Sequence, residues 1–332
     1  MTSHTCDQRP PSALQETSFL VVDGDRQHAR TLIRTLRTLS ARVEHRPELG
    51  TNLDVRATSA HDFIVANTGS LPLDQLRRIA ALDRPTGPFV LFTSNGSNQG
   101  IVPDLFRGRH LTHLMARTNE PQDATGLIVT VRKILEGDIF GIEKYFVWGI
   151  EPVTRIISGS ADKESILRDL DGYAGAIGIN QRLATHVVGV ADELISNAVY
   201  NAPRNELGQP SYAHYSRDVP VALEINQRPE IRYCCDGVRL GISVTDPFGS
   251  LAVETILDYM SKCFRAEQDQ IDEKHGGAGL GLYEVFNWVS SFIINIEPGV
   301  RTEFIGIIDI SGSYRNFAEG TKSFNIFRKQ KR

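Results

Sequence analysis

Long apolar runs are missing from this 332-residue chain: no stretch approaches the roughly 20 consecutive apolar residues that a bilayer-spanning helix needs. Cysteine is scarce too. Cys6, Cys234, Cys235 and Cys263 show no Cys-x-x-Cys spacing, and neighbours on a strand point to opposite faces, so reduced, unliganded thiols are expected. Residues 1–15 lack the basic-then-apolar order of a secretion signal. Nor is there a cation excess. With 36 Lys and Arg against 40 Asp and Glu, the net charge of -4 argues against a dedicated nucleic-acid binder, which needs clustered cations. These absences leave a soluble, cytoplasmic protein as the expectation, with no membrane or direct nucleic-acid partner. What is present is ordinary globular composition, 41% hydrophobic and 23% charged, in a chain long enough for two domains.

Residues 1–17 are polar, with Pro10-Pro11, and read as a loose tail. Phe19-Leu20-Val21-Val22 is a short apolar run typical of a buried parallel strand, ending at Asp23-Gly24-Asp25. Helix-period apolars Leu32, Ile33, Leu36 and Leu39 follow. A strand at 62–67, a helix at 71–82, a strand at 88–94, a further strand at 110–115 and a closing helix at 123–135 complete the first half. Strand alternating with helix predicts a doubly wound parallel sheet over 18–136. Arg26, Arg30, Arg34 and Arg37 recur at gaps of four, four and three. That stripe reads as a solvated face, with a dock for an acidic partner as its functional alternative. Residues 137–150 form the linker, whose aromatics Phe140, Tyr145, Phe146 and Trp148 should pack rather than stay exposed.

In the second half, 151–332, a strand at 153–157 and a helix at 164–174 precede the helix around which the chain is organised. Leu183, Val187, Val190, Leu194 and Ala198 give that helix one apolar stripe. Glu193, Asn197 and Asn201 stack on the adjoining face at i, i+4. For this helix alone an exposed polar face would be the plain reading, since burying such groups bare is expensive. Residues 221–225 and 231–235 alternate as strands, and Asp236-Gly237 is a hairpin signal leading into 238–245. Runs at 292–296, 304–310 and 323–327 should complete an antiparallel sheet with helices on one face, an α/β sandwich. Val244-Thr245-Asp246-Pro247-Phe248-Gly249 ends one strand, and Gly276-Gly277-Ala278-Gly279-Leu280-Gly281-Leu282 opens a helix.

Glu-x-x-x-Asn on a helix, an Asp closing a strand and a Gly-x-Gly-x-Gly string, in that order over 153–327, resemble the GHKL superfamily of ATP-binding domains. The likeness is nearest to anti-sigma-factor serine kinases, because no phosphoacceptor His precedes the domain in a long helical hairpin. His186 lies on the organising helix and should pack there. The resemblance implies ATP and Mg²⁺ as cofactors. Asn197 would hold Mg²⁺, Glu193 would act as base, and Asp246 would accept the adenine amino proton. Gly249 would lie beneath the base, although Phe248 stands where the family has its first loop glycine. Gly276, Gly277, Gly279, Leu280 and Gly281 would carry main-chain amides to phosphate at a helix start. Gly189 would leave room for the ligand. Lys274 and His275, with Arg265 as a weaker choice, are candidate phosphate contacts in the segment that would cover the nucleotide. Thr321 would be the closing Gly-Thr hydroxyl, and Asn201 stands in the nucleotide site where a basic residue is common.

The first half resembles a response-regulator receiver domain. Asp23 matches one acid and Thr93 the hydroxyl, but Gly24 replaces the second acid, Asn67 replaces the phosphoacceptor and no Lys lies near Ala116-Arg117. A lost nucleophile removes the reaction itself, so a pseudo-receiver that docks or dimerises is expected. Together the halves imply an ATP-binding signalling regulator, an anti-sigma-type protein serine/threonine kinase acting on an antagonist or sigma-factor-like partner, with a homodimer an open option. A non-catalytic nucleotide-gated scaffold and a divergent histidine kinase are the alternatives.

Overall fold

A computed structural model describes residues 16–49, 60–82, 88–96, 101–108, 111–118, 121–205, 207–269 and 280–329. The first half runs β1 (Ser18–Val22), α1 (Arg26–Arg37), β2 (Arg42–Arg46), β3 (Phe63–Asn67), α2 (Leu73–Ala80), β4 (Phe89–Ser94), α3 (Ile101–Arg107), β5 (His113–Ala116) and α4 (Pro121–Glu136). The second half runs β6 (Val153–Ile156), α5 (Lys163–Ala176), α6 (Gln181–Ser196), β7 (Glu230–Cys235), β8 (Arg239–Asp246), α7 (Val253–Asp269), α8 (Leu280–Trp288), β9 (Ser291–Glu297), β10 (Arg301–Asp309), α9 (Tyr314–Glu319) and β11 (Ser323–Arg328). Among the described residues no helix is long and apolar enough to cross a membrane.

The eleven strands among the described residues form one mixed sheet in the order β2-β1-β3-β4-β5-β11-β9-β10-β8-β7-β6. The first five are parallel, as expected of a doubly wound unit. Apolar residues of β1, β3 and β4 alternate between two cores: Phe19, Val21 and Phe63 meet Leu32, Leu36 and Leu127 of α1 and α4. Leu20, Ile64 and Phe92 meet Leu76 and Phe106 of α2 and α3 on the other face. β5 then pairs antiparallel with β11, Phe324 opposite Leu114, so the two halves share a sheet instead of standing apart. α3 packs on α7 across this junction, and the Phe106 ring meets Phe286 and Phe324 edge-on at 6.0 and 5.1 Å.

Two strand expectations are corrected, and one strand was not expected. β11 runs parallel to β9, so the C-terminal part is mixed, not purely antiparallel. Residues 221–225 form no strand: Val221 and Leu223 bond back to Ser160 and Ser158, which ties down the approach to α5. Strand β2 went unforeseen because its Arg-Val-Glu-His-Arg sequence suits a solvated sheet edge and gives no apolar signal. The linker, with the end of α4, covers the second face of the C-terminal sheet, placing Ile139, Ile142, Tyr145 and Phe146 against Ile293, Ile305 and Phe327. Trp148 departs from that packing and is 98% exposed.

Under the linker lies a lysine out of reach of water. Lys133 of α4 is 2% exposed and donates to Tyr145 Oη at 2.7 Å and Asn295 Oδ1 at 2.8 Å. Its ammonium sits 3.9 Å from the centre of the Phe327 ring. Asn295 Nδ2 donates at 2.8 Å to Glu303 Oε2, which also accepts from Gly141 N at 3.0 Å. Burial pulls the Lys133 pKa well down while Glu303 draws it back up; burial likewise pushes Glu303 up against the bonds it accepts. One substitution, Lys133→Met, leaves that acid buried without its countercharge and should cost about 3–5 kcal/mol by urea denaturation, whereas Lys133→Met with Glu303→Gln should recover most of the loss.

Candidate functional site

Helix α6 begins at Asn180, whose Oδ1 accepts from Arg182 N at 2.9 Å, and buries Leu183, Val187, Val190 and Leu194 against the sheet. Its last turn, Asn197–Asn201, is a π-turn in which Ala202 N reaches Asn197 O at 2.9 Å. The wider turn keeps side chains four apart nearly in line. Asn201 Nδ2 donates to Asn197 Oδ1 at 2.6 Å, and Asn197 Nδ2 donates to Glu193 Oε1 at 2.8 Å. The predicted stack is thus a directed ladder ending on a carboxylate. Burial raises the Glu193 pKa, which the Asn197 bond and the Arg217 charge oppose. Its neighbour Asp192 turns the other way and pairs with Lys163 at 2.5 Å, fastening α5 to α6.

Gly281, in the first turn of α8, faces this carboxylate so closely that a Cβ there would collide with Glu193. Two stretches almost ninety residues apart therefore meet at one group. Gly189 does not serve as expected: a Cβ at that position would strike the Trp288 ring, so the glycine accommodates packing of α8 on α6 rather than a ligand. Arg265, Leu280 and their side chains, and residues Lys274, His275, Gly276, Gly277 and Gly279, lie outside what is described, apart from the backbone of Arg265 in α7 and of Leu280 at the start of α8.

Asp246 ends β8, which packs on the π-turn. Its Oδ1 accepts from Phe248 N at 2.9 Å and Gly249 N at 3.4 Å. Burial pushes its pKa up to about 6, against those bonds, a bond from Thr302 and the charge of Arg204. Gly249, at φ +57°, has no space for a Cβ because the β9–β10 turn backbone lies against it. The hydroxyl beside Asp246 is therefore Thr302, its cross-strand partner. Thr321 is corrected: it precedes the row Ser323–Ser291–Ile307–Gly241, whereas Asp246 lies in the row Thr302–Ile296–Arg328, at the opposite end of the sheet. Thr321 instead packs against Gly96 of the first half. No local sequence signal marks Thr302; strand register alone places it, just after the turn that Gly249 touches.

Two arginines also escaped the sequence reading. Arg217 Nη1 donates to Ser196 O at 3.0 Å and lies 4.7 Å from the Tyr200 ring centre; Arg204 Nη1 donates to Asn201 O at 2.7 Å. Both come from the aperiodic segment after α6, which carries no helical or strand pattern to place them.

The acid pocket of the first half is closed on itself. Asp23, wholly buried, accepts from Asn67 Nδ2 at 2.7 Å, Ser70 Oγ at 3.1 Å and Asp25 N at 2.9 Å, and meets His28 Nδ1 at 2.5 Å. Burial alone would raise its pKa, but the His28 and Asn67 bonds hold it below the usual carboxylate range. Thr93 Oγ1 is buried with no partner among the described residues, beside a cavity of about 20 Å³, room for one water.

Chemically, the α6–β8 site offers a desolvated carboxylate able to accept a proton, neutral amide oxygens suited to a hard cation, and a buried acid able to accept from an N–H. Among the described residues no three His, Cys, Asp or Glu side chains cluster as a metal cage. A divalent ion here would take most ligands from phosphate and water, as magnesium does. Comparison with known protein families and with characterised proteins returns no match for this chain.

Two outcomes test the geometry. Gly281→Ala meets only the movable end of Glu193, so it should shift thermal stability by less than about 1 kcal/mol while abolishing any activity that needs the carboxylate in place. Asp246 has a folded pKa of about 6 against an ordinary 3.8, so its stabilising contribution is complete below about 4 and disappears as pH rises through 6. Asp246→Asn should therefore gain stability relative to wild type across pH 4–6, by about 2–3 kcal/mol at neutrality, as read from melting curves.

Proposed function

We propose that the chain is a Mg-ATP-binding signalling regulator, with the ATP-binding fold of the GHKL superfamily in its second half and a degenerate receiver in its first. The observation that carries this reading is convergence: the Glu193–Asn197–Asn201 ladder, Gly281 and buried Asp246 come from three distant stretches to one end of α6. Asn197 Oδ1 would be a protein ligand of Mg²⁺, and the bound ion would neutralise charge on the phosphates. The Asp246 carboxyl would accept from the adenine amino group; guanine presents an oxygen at that place, so adenine is selected.

The reaction favoured is transfer to a protein serine or threonine, as in anti-sigma-factor kinases. Glu193 has the burial of a general base: its raised pKa makes it a better proton acceptor at neutral pH than a solvated glutamate. Asn197 holds it in line by one hydrogen bond, and the Arg217 charge favours its ionised form against the burial that raises its pKa. A second reading, a nucleotide-gated scaffold without chemistry, draws support from the shared sheet and the self-satisfied Asp23 pocket, which suit a fixed docking platform.

Calorimetry with ATP, ADP and GTP, with and without Mg²⁺, is the direct test. ATP should bind more tightly with Mg²⁺ than without it, GTP should bind at least tenfold more weakly, and Asp246→Asn should lose at least tenfold in ATP affinity. Absence of any ATP heat in the wild type would overturn the proposal. If ATP binds, Glu193→Ala separates the readings: a kinase loses phosphoserine formation on its partner with binding retained, whereas a scaffold keeps its partner response.

A further inference from the structure

We infer that α1 is a docking ridge for an acidic helix of another protein. Arg26, Arg30, Arg34 and Arg37 are all exposed, and α1 buries only its opposite side, through His28, Ala29, Leu32, Thr35 and Leu36. None of the four guanidinium groups has an ion pair or hydrogen bond among the described residues. Arg132, Arg155, Arg232 and Arg315 each hold a carboxylate within 4.0 Å, and although exposed Arg168 and Arg328 hold none among the described residues, they stand singly rather than in a row. The ridge also works against its own helix. Like charges repel at i, i+4, Arg26 on Arg30 and Arg30 on Arg34, although the Asp25 cap offsets the dipole at the helix start and Arg34 and Arg37 suit its end. A merely solvated face would be better made of mixed charges, and the repulsion of Arg30 by Arg26 and Arg34 would be relieved by a ligand that supplies anions.

The ridge's dimensions decide between anionic partners. It is one side chain wide, and its steps of about 6 Å over about 16 Å match carboxylates placed every fourth residue along a second helix. Guanidinium groups pair with carboxylates through two bonds at once, which gives such a docking its register. A nucleic-acid site would need a wider basic field than four cations on a chain of net charge -4. A membrane site would need apolar residues to insert, and the groove between the arginines presents only Gln27 and Thr31. The inference does not depend on the nucleotide proposal.

The test uses the full-length protein and a fluorescein-labelled 16-residue peptide of Ala and Gln with Glu at every fourth position. Anisotropy at 50 and 150 mM NaCl compares it with the same residues scrambled, a 20-base-pair DNA duplex, and vesicles containing 30% phosphatidylserine. The ordered peptide should bind at least tenfold more tightly than the scrambled one. Arg26→Glu/Arg30→Glu/Arg34→Glu should weaken it at least thirtyfold, and a peptide with Arg in place of Glu should restore binding to that variant. Equal binding of ordered and scrambled peptides, or tighter binding of DNA or vesicles, would overturn the inference. Folding is read separately: Arg30→Glu should raise the melting temperature by relieving repulsion from Arg26 and Arg34, and a fall would show that Arg30 has an internal role and sink the argument.

Discussion

A lysine ammonium sealed from water holds the molecule's two halves in one frame. Lys133 belongs to the last helix of the parallel unit, yet its partners Tyr145, Asn295 and Phe327 belong to the linker and the C-terminal sheet. A charge so placed needs its partners, because leaving it bare costs far more than the pair gains. The helix, the linker and strands β9 and β10 therefore have little freedom to separate. Pairing of β5 with β11 spans only a short register, and by itself would be a weak joint. The buried network beneath it and the Phe106 contacts above it make the joint rigid from both faces.

Strand alternation carries that constraint to the candidate site. Glu303 faces the linker and closes the lysine network, whereas Thr302, one residue earlier, bonds Asp246. The same strand thus serves the inter-half joint on one face and the proposed adenine contact on the other. Both site acids, Glu193 and Asp246, are pushed toward neutrality by burial, so each is more favourable with a partner than without one. A bound group offering an N–H to one and a proton to the other would use that stored preference, which is what a preorganised polar site supplies.

How much of this was legible depended on whether the signal was local. Periodicity marked α6, and the four-residue spacing of Glu193, Asn197 and Asn201 forecast the ladder, because neighbours on one helix need no knowledge of the fold. Apolar runs marked β1, β3 and β4, whose two-faced burial leaves no polar alternation to confuse. What could not be read was non-local. Thr302 and Thr321 are both strand-region threonines near glycines, and only the antiparallel register of β8 and β10 puts one beside Asp246 and the other at the far end of the sheet. Gly189 looked like room for a ligand because the Trp288 ring that uses the space lies a hundred residues away. The union of the two sheets rests on an antiparallel pair between segments more than two hundred residues apart, and on a buried lysine that sequence reads as surface.

The closed acid pocket of the first half is an internal brace whose carboxylate is satisfied by its own neighbours. A carboxylate at position 67 would face Asp23 at hydrogen-bond distance, and two such acids cannot both stay ionised without a cation between them. An amide there turns repulsion into a donated bond, so the pocket becomes a fixed internal brace. That brace acts directly on α1: His28 on its inner side bonds Asp23, and Asp25, held by Arg117 at 2.6 Å, caps its first turn. A helix tied down in this way at its N-terminus can tolerate the repulsion along its arginine face without fraying. The residues of the Asp23 pocket thus set the orientation of the arginine face of α1.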